Sequence, residues 1–149
     1  MSDDTFRIME LGMRGYKCSQ ILALMALEAQ GRENPDLVRA MSGLLNGMGC
    51  GKLCGALTGG CCVLGMYAGN DGESSNSDPR LQSMVERFVE WFEVEFTERF
   101  GSINCADIVQ DDPRQRNVRC ALIVLETLEK LREILAENDY HFDEPLPSA

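Results

Sequence analysis

The sequence predicts an all-α protein, a compact bundle of five to six helices. Apolar residues recur at helical spacing in the longest segments, and Gly or Pro stands where most segments begin or end. Hydrophobic residues make up 44% of the chain and charged residues 26%, which is the composition of a globular domain. We therefore expect one helical domain over residues 1–137 and a mobile tail over residues 138–149.

Four helices are predicted in the first half of the chain, over residues 5–13, 19–30, 35–46 and 54–67. Gly12 and Gly15 mark the end of the first helix. The second helix is apolar almost all round, which predicts burial, and Gly31 ends it. Pro35 stands in the first turn of the third helix. The fourth segment is small and apolar. Its glycines lower helix propensity, so a strand is the alternative there.

The second half of the chain begins with a polar loop over residues 69–78, rich in Gly, Ser, Asn and Asp. A long helix over residues 79–100 follows, started by Pro79 and ended by Gly101. Its apolar positions at helical spacing are Leu81, Met84, Val85, Phe88, Trp91, Phe92 and Phe96. A short turn over residues 105–109 leads to the last helix, over residues 111–137. The core face of that helix is formed by Ile123, Leu125, Leu128, Leu131, Ile134 and Leu135.

The balance of charge is acidic, because 14 Lys and Arg stand against 24 Asp and Glu, a formal charge of -10. Such a surface repels phosphate backbones and anionic membranes, so we expect binding to neither. No apolar run reaches the length of about 18 residues that a membrane span needs. The first residues, Met1 to Asp4, are acidic and lack the apolar core of an export signal. These features predict a protein of the cytosol.

The seven cysteines are Cys18, Cys50, Cys54, Cys61, Cys62, Cys105 and Cys120. Structural disulfides are rare in a reducing cytosol, and an odd number of cysteines cannot pair completely within one chain. Thiolates are soft ligands that suit iron–sulfur clusters, zinc and copper(I). The chain has no Cys-x-x-Cys pair, so zinc-ribbon, thioredoxin and c-type haem motifs are absent. Metal binding or redox chemistry is therefore expected, without a common spacing motif to specify it.

The spacing distributes the cysteines over several helices. Cys50, Cys54 and Cys61 share one stripe if a single helix carries them, because offsets of four and seven return to the same face. The others lie near the ends or sides of other helices, as in bundles that build an internal metal site from facing helices. Core packing is the alternative for every cysteine, and we favour it for Cys61 and Cys62 within their apolar run. Taken singly, Cys18, Cys54, Cys105 and Cys120 also favour packing. For Cys50, ligand and packing stay equally open.

Residues 54–59 read Cys-Gly-Ala-Leu-Thr-Gly, preceded by Gly47-Met48-Gly49. Cys18 follows Gly15-Tyr16-Lys17, Cys105 follows Phe100-Gly101-Ser102-Ile103-Asn104, and Cys120 follows Arg119. In this order and context, these segments resemble the C-GCAxxG-C-C family, whose members are described as redox-active. The central signature differs in that Cys54 and Gly55 stand in the opposite order. The resemblance extends from about Phe6 to Leu131.

The resemblance implies a redox role for four cysteines, Cys18, Cys54, Cys105 and Cys120. A similar domain in split-Soret cytochromes c is associated with an iron–sulfur site, although the haem motif of those proteins is absent here. We therefore expect these cysteines to hold a [2Fe–2S] or [4Fe–4S] cluster, which Gly55 and Gly59 let the backbone approach. Three cysteines are additional to the family pattern, namely Cys50, Cys61 and Cys62. Three roles stay open for them: to replace a ligand, to resolve a disulfide, or to bind a second metal.

Three functions remain open at this point. The first is electron transfer through the cluster to a redox partner protein, with the Ser19 and Thr58 hydroxyls donating hydrogen bonds to sulfur. The second is thiol–disulfide chemistry, with Cys54 as a nucleophile favoured by a helix dipole and Cys50 or Cys18 resolving the disulfide. The third is a cysteine-ligated zinc site. The small apolar segments also allow a homodimer.

Overall fold

The computed structural model describes residues 2–73 and 76–144, and in this part of the chain the fold is all-α, as predicted. Seven helices are found there, together with one isolated antiparallel β-bridge. The first six helices are α1 (Asp3–Met13), α2 (Cys18–Ala29), α3 (Pro35–Met41), α4 (Gly55–Ala68), α5 (Leu81–Phe100) and α6 (Cys105–Val109). The expected count of five to six was slightly low, because the turn over residues 105–109 is a helix of its own. None of the described helices is long and apolar enough to cross a membrane.

The seventh helix, α7 (residues 113–137), is one helical run that changes pitch near its start. It begins as Pro113–Gln115, passes through a π-turn at Arg116–Cys120 and continues as Ala121–Glu137. The Asp112 side chain accepts a hydrogen bond of 3.0 Å from the Arg114 N–H, which caps the first turn. Because a π-turn shifts the helical register, it determines where Cys120 points.

Small residues let α4 lie at the centre of the bundle, packed against α2, α5 and α7. A Cβ on Gly59 would stand 3.0 Å from the Cα of Ser19 in α2. A Cβ on Gly60 would overlap the ring of Phe88 in α5. The glycines that weaken helix propensity in this segment are therefore required by the close approach of the neighbouring helices. The segment forms a helix and not the alternative strand.

The core between α4, α5 and α7 is formed by the residues that periodicity predicts. Phe88, Phe92 and Phe96 are one turn apart on α5 and fully buried, with adjacent ring centroids 6.0 and 4.6 Å apart. Ile123, Leu128, Leu131, Ile134 and Leu135 of α7 are buried as well, while Leu125 is half-buried. Edge-to-face aromatic contacts add to the free energy gained by burying this surface.

The third helix is shorter than predicted. It ends at Met41 instead of reaching Asn46, and a 3₁₀ turn at Ser42–Leu44 follows it. Asn46 and Met48 then adopt left-handed backbone angles, with φ of 56° and 60°. Gly47, Gly49 and Gly51 also have positive φ. A right-handed helix cannot continue through such a segment, and the glycines make this conformation accessible.

The segment after α7 packs against the bundle, although the sequence predicted a mobile tail from residue 138. Phe142 is 5% exposed, and its ring stacks on Tyr67 with centroids 5.8 Å apart. The Tyr67 hydroxyl donates a hydrogen bond of 2.7 Å to the Phe142 carbonyl. Residues 145–149 of the predicted tail lie outside the described residues. The aromatic pair therefore extends the core beyond the last helix.

Gly60→Ala tests the close approach of α4 and α5. The added methyl group would overlap the buried Phe88 ring, so we expect the free energy of unfolding to fall by about 1–3 kcal/mol. Gly65→Ala is the matched control on the same helix, because a Cβ at Gly65 meets nothing within 4 Å. We expect this control to raise stability by up to about 1 kcal/mol through helix propensity. Urea unfolding measures both values, and equal effects of the two variants would contradict the packing described.

Candidate functional site

Four cysteines from four separate elements line one cavity of about 180 Å³. Cys18 is the first residue of α2, Cys54 directly precedes α4, and Cys105 is the first residue of α6. Cys120 ends the π-turn within α7. The structure thus places around one cavity the four sulfur-bearing residues that the resemblance singles out, although they are far apart along the chain.

A pair of backbone hydrogen bonds holds Cys54 beside Cys105. Leu53 and Asn104 form the isolated β-bridge. The Cys54 N–H donates to the Ile103 carbonyl at 2.9 Å, and the Cys105 N–H donates to the Lys52 carbonyl at 2.7 Å. The segments that lead into α4 and α6 are therefore joined directly before their helices begin.

The Cys18 sulfur occupies the space that a side chain at position 55 would fill. A Cβ built on Gly55 would lie 2.5 Å from Cys18 Sγ, well inside van der Waals contact. Gly55 is part of the cavity wall. Gly59, one turn later, packs on Ser19 and is outside the cavity lining. The two signature glycines therefore bring α2 and α4 together, and Gly55 alone borders the cavity.

Neither of the two hydroxyls expected to reach sulfur is seen in that role. The Ser19 hydroxyl donates to the Met41 carbonyl at 2.8 Å. The Thr58 hydroxyl is buried and has no hydrogen-bond partner among the described residues. The backbone N–H of Ser19 lowers the pKa of Cys18, and those of Ala56 and Leu57 lower the pKa of Cys54, so backbone groups stabilise these two thiolates.

Burial favours the protonated thiols of Cys18, Cys54 and Cys120. It raises the pKa of Cys54 to about 12 and that of Cys120 to about 11, and it raises the pKa of Cys18 as well. The neighbouring thiols add to this, since Cys18 raises the pKa of both Cys54 and Cys120. Mutual electrostatic effects of this kind require that the sulfurs lie close together. The backbone N–H groups lower the pKa of Cys18 and that of Cys54 but do not offset the cost of burial.

Two cations also act on the cavity. Lys17 and Arg116 both line it, and both lower the pKa of Cys18 and Cys120. The Arg116 guanidinium donates a hydrogen bond of 2.5 Å to Asn46 Oδ1, a further residue of the lining. Neither cation has a carboxylate partner within the described part of the chain, so their charge is not neutralised by an ion pair.

The thiols are not arranged around a single point. Within residues 2–73 and 76–144, no group of three or more His, Cys, Asp or Glu lies close enough to hold a metal ion as it stands. Zinc requires four ligands, with sulfur at about 2.3 Å from one centre. Clusters in which several metal atoms share their ligands usually take four thiolates as well.

The three additional cysteines lie outside the cavity lining. Cys50 is exposed in the left-handed segment after α3, and its thiol donates to the Gly47 carbonyl at 3.4 Å. Cys61 is half-buried and Cys62 is exposed, both on α4. The stripe of Cys50, Cys54 and Cys61 does not form, because only Cys61 of the three belongs to the helix.

Sequence reasoning missed the cations and the polar mouth of the cavity. Lys17 is adjacent to Cys18, and Arg116 precedes Cys120 by four residues within a helical run. That spacing places Arg116 and Cys120 on neighbouring positions of a helix surface and was available as a signal. Asn46 had no such signal, since its position depends on the left-handed turn after α3.

Alkylation of the reduced, metal-free protein tests the protonation state of the cavity. At pH 8 we expect iodoacetamide to modify the exposed Cys50 readily. The rate of modification at Cys54 should be lower by a factor of about 100 or more, because this buried thiol has a pKa of about 12. Peptide mass spectrometry gives the rate at each cysteine. Modification of all seven cysteines in guanidinium is the control. A Cys54 that reacts as fast as Cys50 would indicate an activated thiol and contradict the burial described.

Comparison with known proteins agrees with the resemblance read from the cysteines. Residues 16–134 match the model of the family described as "Putative redox-active protein (C_GCAxxG_C_C)". Comparison with curated proteins and with solved structures found no match. The matched residues include every cysteine of the chain. They also include every described residue of the cavity lining except Ile8, Gly12 and Gly15. The chain therefore belongs to the C-GCAxxG-C-C family of redox-active proteins.

Proposed function

We propose that this redox-active protein carries an iron–sulfur cluster on Cys18, Cys54, Cys105 and Cys120 and transfers electrons. The observation that carries the proposal is the shared cavity of about 180 Å³, to which four separate helical elements each contribute one thiol. An iron–sulfur cluster bound there would take up and release electrons at a potential set by its surroundings.

The type of donor supports iron–sulfur chemistry. The described lining of the cavity contains four Cys and no His, Asp or Glu, so its metal-binding donors are cysteine sulfurs. Thiolates select iron–sulfur clusters, zinc or copper(I) over metals that prefer oxygen. A cluster usually takes four thiolates, which is the number that lines the cavity.

The protons of the thiols link binding to pH. The pKa values of about 12 for Cys54 and about 11 for Cys120 mean that metal must displace protons at neutral pH. Occupancy is therefore expected to weaken as pH falls. Lys17 and Arg116 favour the charged form of bound sulfur, as do the N–H groups that contact Cys18 and Cys54.

Apolar side chains form much of the remaining wall of the cavity: Ile8, Ile21, Ile108, Val109 and Val124. All five are buried. They restrict the access of water to the sulfurs, and solvent access is one of the factors that set a cluster potential. Gly55 contributes by leaving room for the Cys18 sulfur.

The burial of Cys54 argues against the thiol–disulfide alternative. A nucleophilic cysteine needs a lowered pKa and access to its substrate. Cys54 is 7% exposed, and burial raises its pKa to about 12. We also propose that the protein acts in the cytosol, where its seven free thiols would stay reduced.

Metal and sulfide analysis of protein purified without air tests the proposal. We expect a brown protein with iron and acid-labile sulfide in comparable amounts. Replacing any one of the four cavity cysteines by Ala should remove most of the iron, because a cluster usually takes four thiolates. Cys62→Ala is the matched control and should keep it, since Cys62 is exposed outside the cavity.

A second pair of variants distinguishes an effect on iron binding in the cavity from an effect on the stability of α4. Gly55→Ala, which would displace the Cys18 sulfur, should weaken iron binding about tenfold or more, whereas Gly65→Ala should retain it. A colourless protein free of iron would contradict the cluster. Zinc without sulfide would identify a zinc site, and a reversible loss of thiols on mild oxidation, without metal, would identify a dithiol protein.

A further inference from the structure

The cavity opens to solvent at one end of the bundle. Its exposed lining residues mark this mouth: Gly12, Gly15, Lys17, Asn46 and Asn117. They come from the end of α1, the turn before α2, the segment after α3 and the π-turn of α7. The mouth is therefore where solvent reaches the cavity that the four thiols line.

The charge at the mouth is opposite to that of the whole protein. The chain has 24 acidic and 14 basic residues, yet the described lining of the cavity contains Lys17 and Arg116 and no carboxylate. Arg14 is exposed close by, with its guanidinium 5.8 Å from the ring centroid of Tyr16, another lining residue. Within the described residues none of the three cations has an ion-pair partner.

Exposed apolar side chains flank the mouth on both sides. Met13, next to Gly12 at the end of α1, is 87% exposed, and Val118, next to Asn117, is 68% exposed. Met9 and Leu122 continue these two rows one turn further along their helices and are also exposed. α1 and α7 pack against each other, so the two rows belong to neighbouring helices. Grouped exposed apolar side chains of this kind are typical of protein interaction sites.

We propose that this mouth surface is the docking site of an acidic electron-transfer protein. Carboxylates of the partner pair with Lys17 and Arg116, and an apolar centre of the partner covers Met13 and Val118. The inference rests on the proposed function, because a partner that exchanges electrons must approach the cavity closely. Cations flanked by exposed apolar side chains combine electrostatic steering of an acidic partner with apolar contact.

A second copy of the chain fits this surface less well. A two-fold interface is self-complementary, so the same patch meets itself. Lys17 and Arg116 of both copies would then approach one another near the axis, without carboxylates in the described lining to compensate them. Charge complementarity therefore favours a partner of opposite sign.

Binding of an acidic flavodoxin to the metal-free and the metal-loaded protein tests the inference. At low salt we expect saturable binding by isothermal titration calorimetry, weakened about tenfold by Lys17→Glu and lost progressively as salt rises. Lys17→Glu should fold, since a carboxylate at the start of α2 complements the helix dipole. Arg39→Glu makes the same change of charge on exposed α3, outside the cavity lining, and should bind like the wild type.

Absence of saturable flavodoxin binding to the wild-type protein would overturn the inference, as would equal weakening by Lys17→Glu and Arg39→Glu. Self-association of the wild type that Met13→Ser abolishes would assign the surface to a second copy and overturn it as well. The binding readout does not depend on metal. The metal analysis would contradict the cluster proposal if it found no iron. The titration would contradict the docking proposal if it found no saturable flavodoxin binding.

Discussion

The close contact between the first turns of α2 and α4 is the constraint on which the site depends. Gly55 leaves room for the Cys18 sulfur, and Gly59 lets the α4 backbone lie against Ser19. Any larger residue at position 55 would force the Cys18 sulfur or the helix to move. The two backbone hydrogen bonds between residues 52–54 and 103–105 then bring Cys105 to the same place. The signature segment therefore acts first through packing, and the position of the sulfurs follows from it.

This constraint gives a physical account of the order of the signature in this chain. In this chain Cys54 directly precedes Gly55. With a side chain at position 55, the sulfur of Cys18 would have no space, because even a Cβ there lies 2.5 Å away. The thiol one residue earlier still borders the cavity, since Cys54 directly precedes the helix. The order Cys54-Gly55 thus accommodates both the helix contact and the Cys18 sulfur.

Much of the fold could be predicted from the sequence, because periodic apolar residues decide where α5 and α7 pack. The end of α3 could not, since the left-handed run at Asn46 and Met48 depends on local backbone geometry that composition alone does not reveal. Phe142 was misjudged for a different reason: a single aromatic residue in a polar segment carries no period, yet Tyr67 offers it a partner. For the site, the resemblance identified the four cavity cysteines, and Lys17 and Arg116 stand one and four residues before Cys18 and Cys120. The position of Asn46 required the tertiary structure, because it depends on the left-handed turn after α3.

A crystal structure of the protein prepared without air, with anomalous diffraction recorded on both sides of the iron edge, tests the central claim most directly. The account predicts one iron-specific peak within the cavity, in bonding contact with the sulfurs of Cys18, Cys54, Cys105 and Cys120. Iron bound elsewhere, or those four sulfurs dispersed over separate parts of the surface, would contradict it.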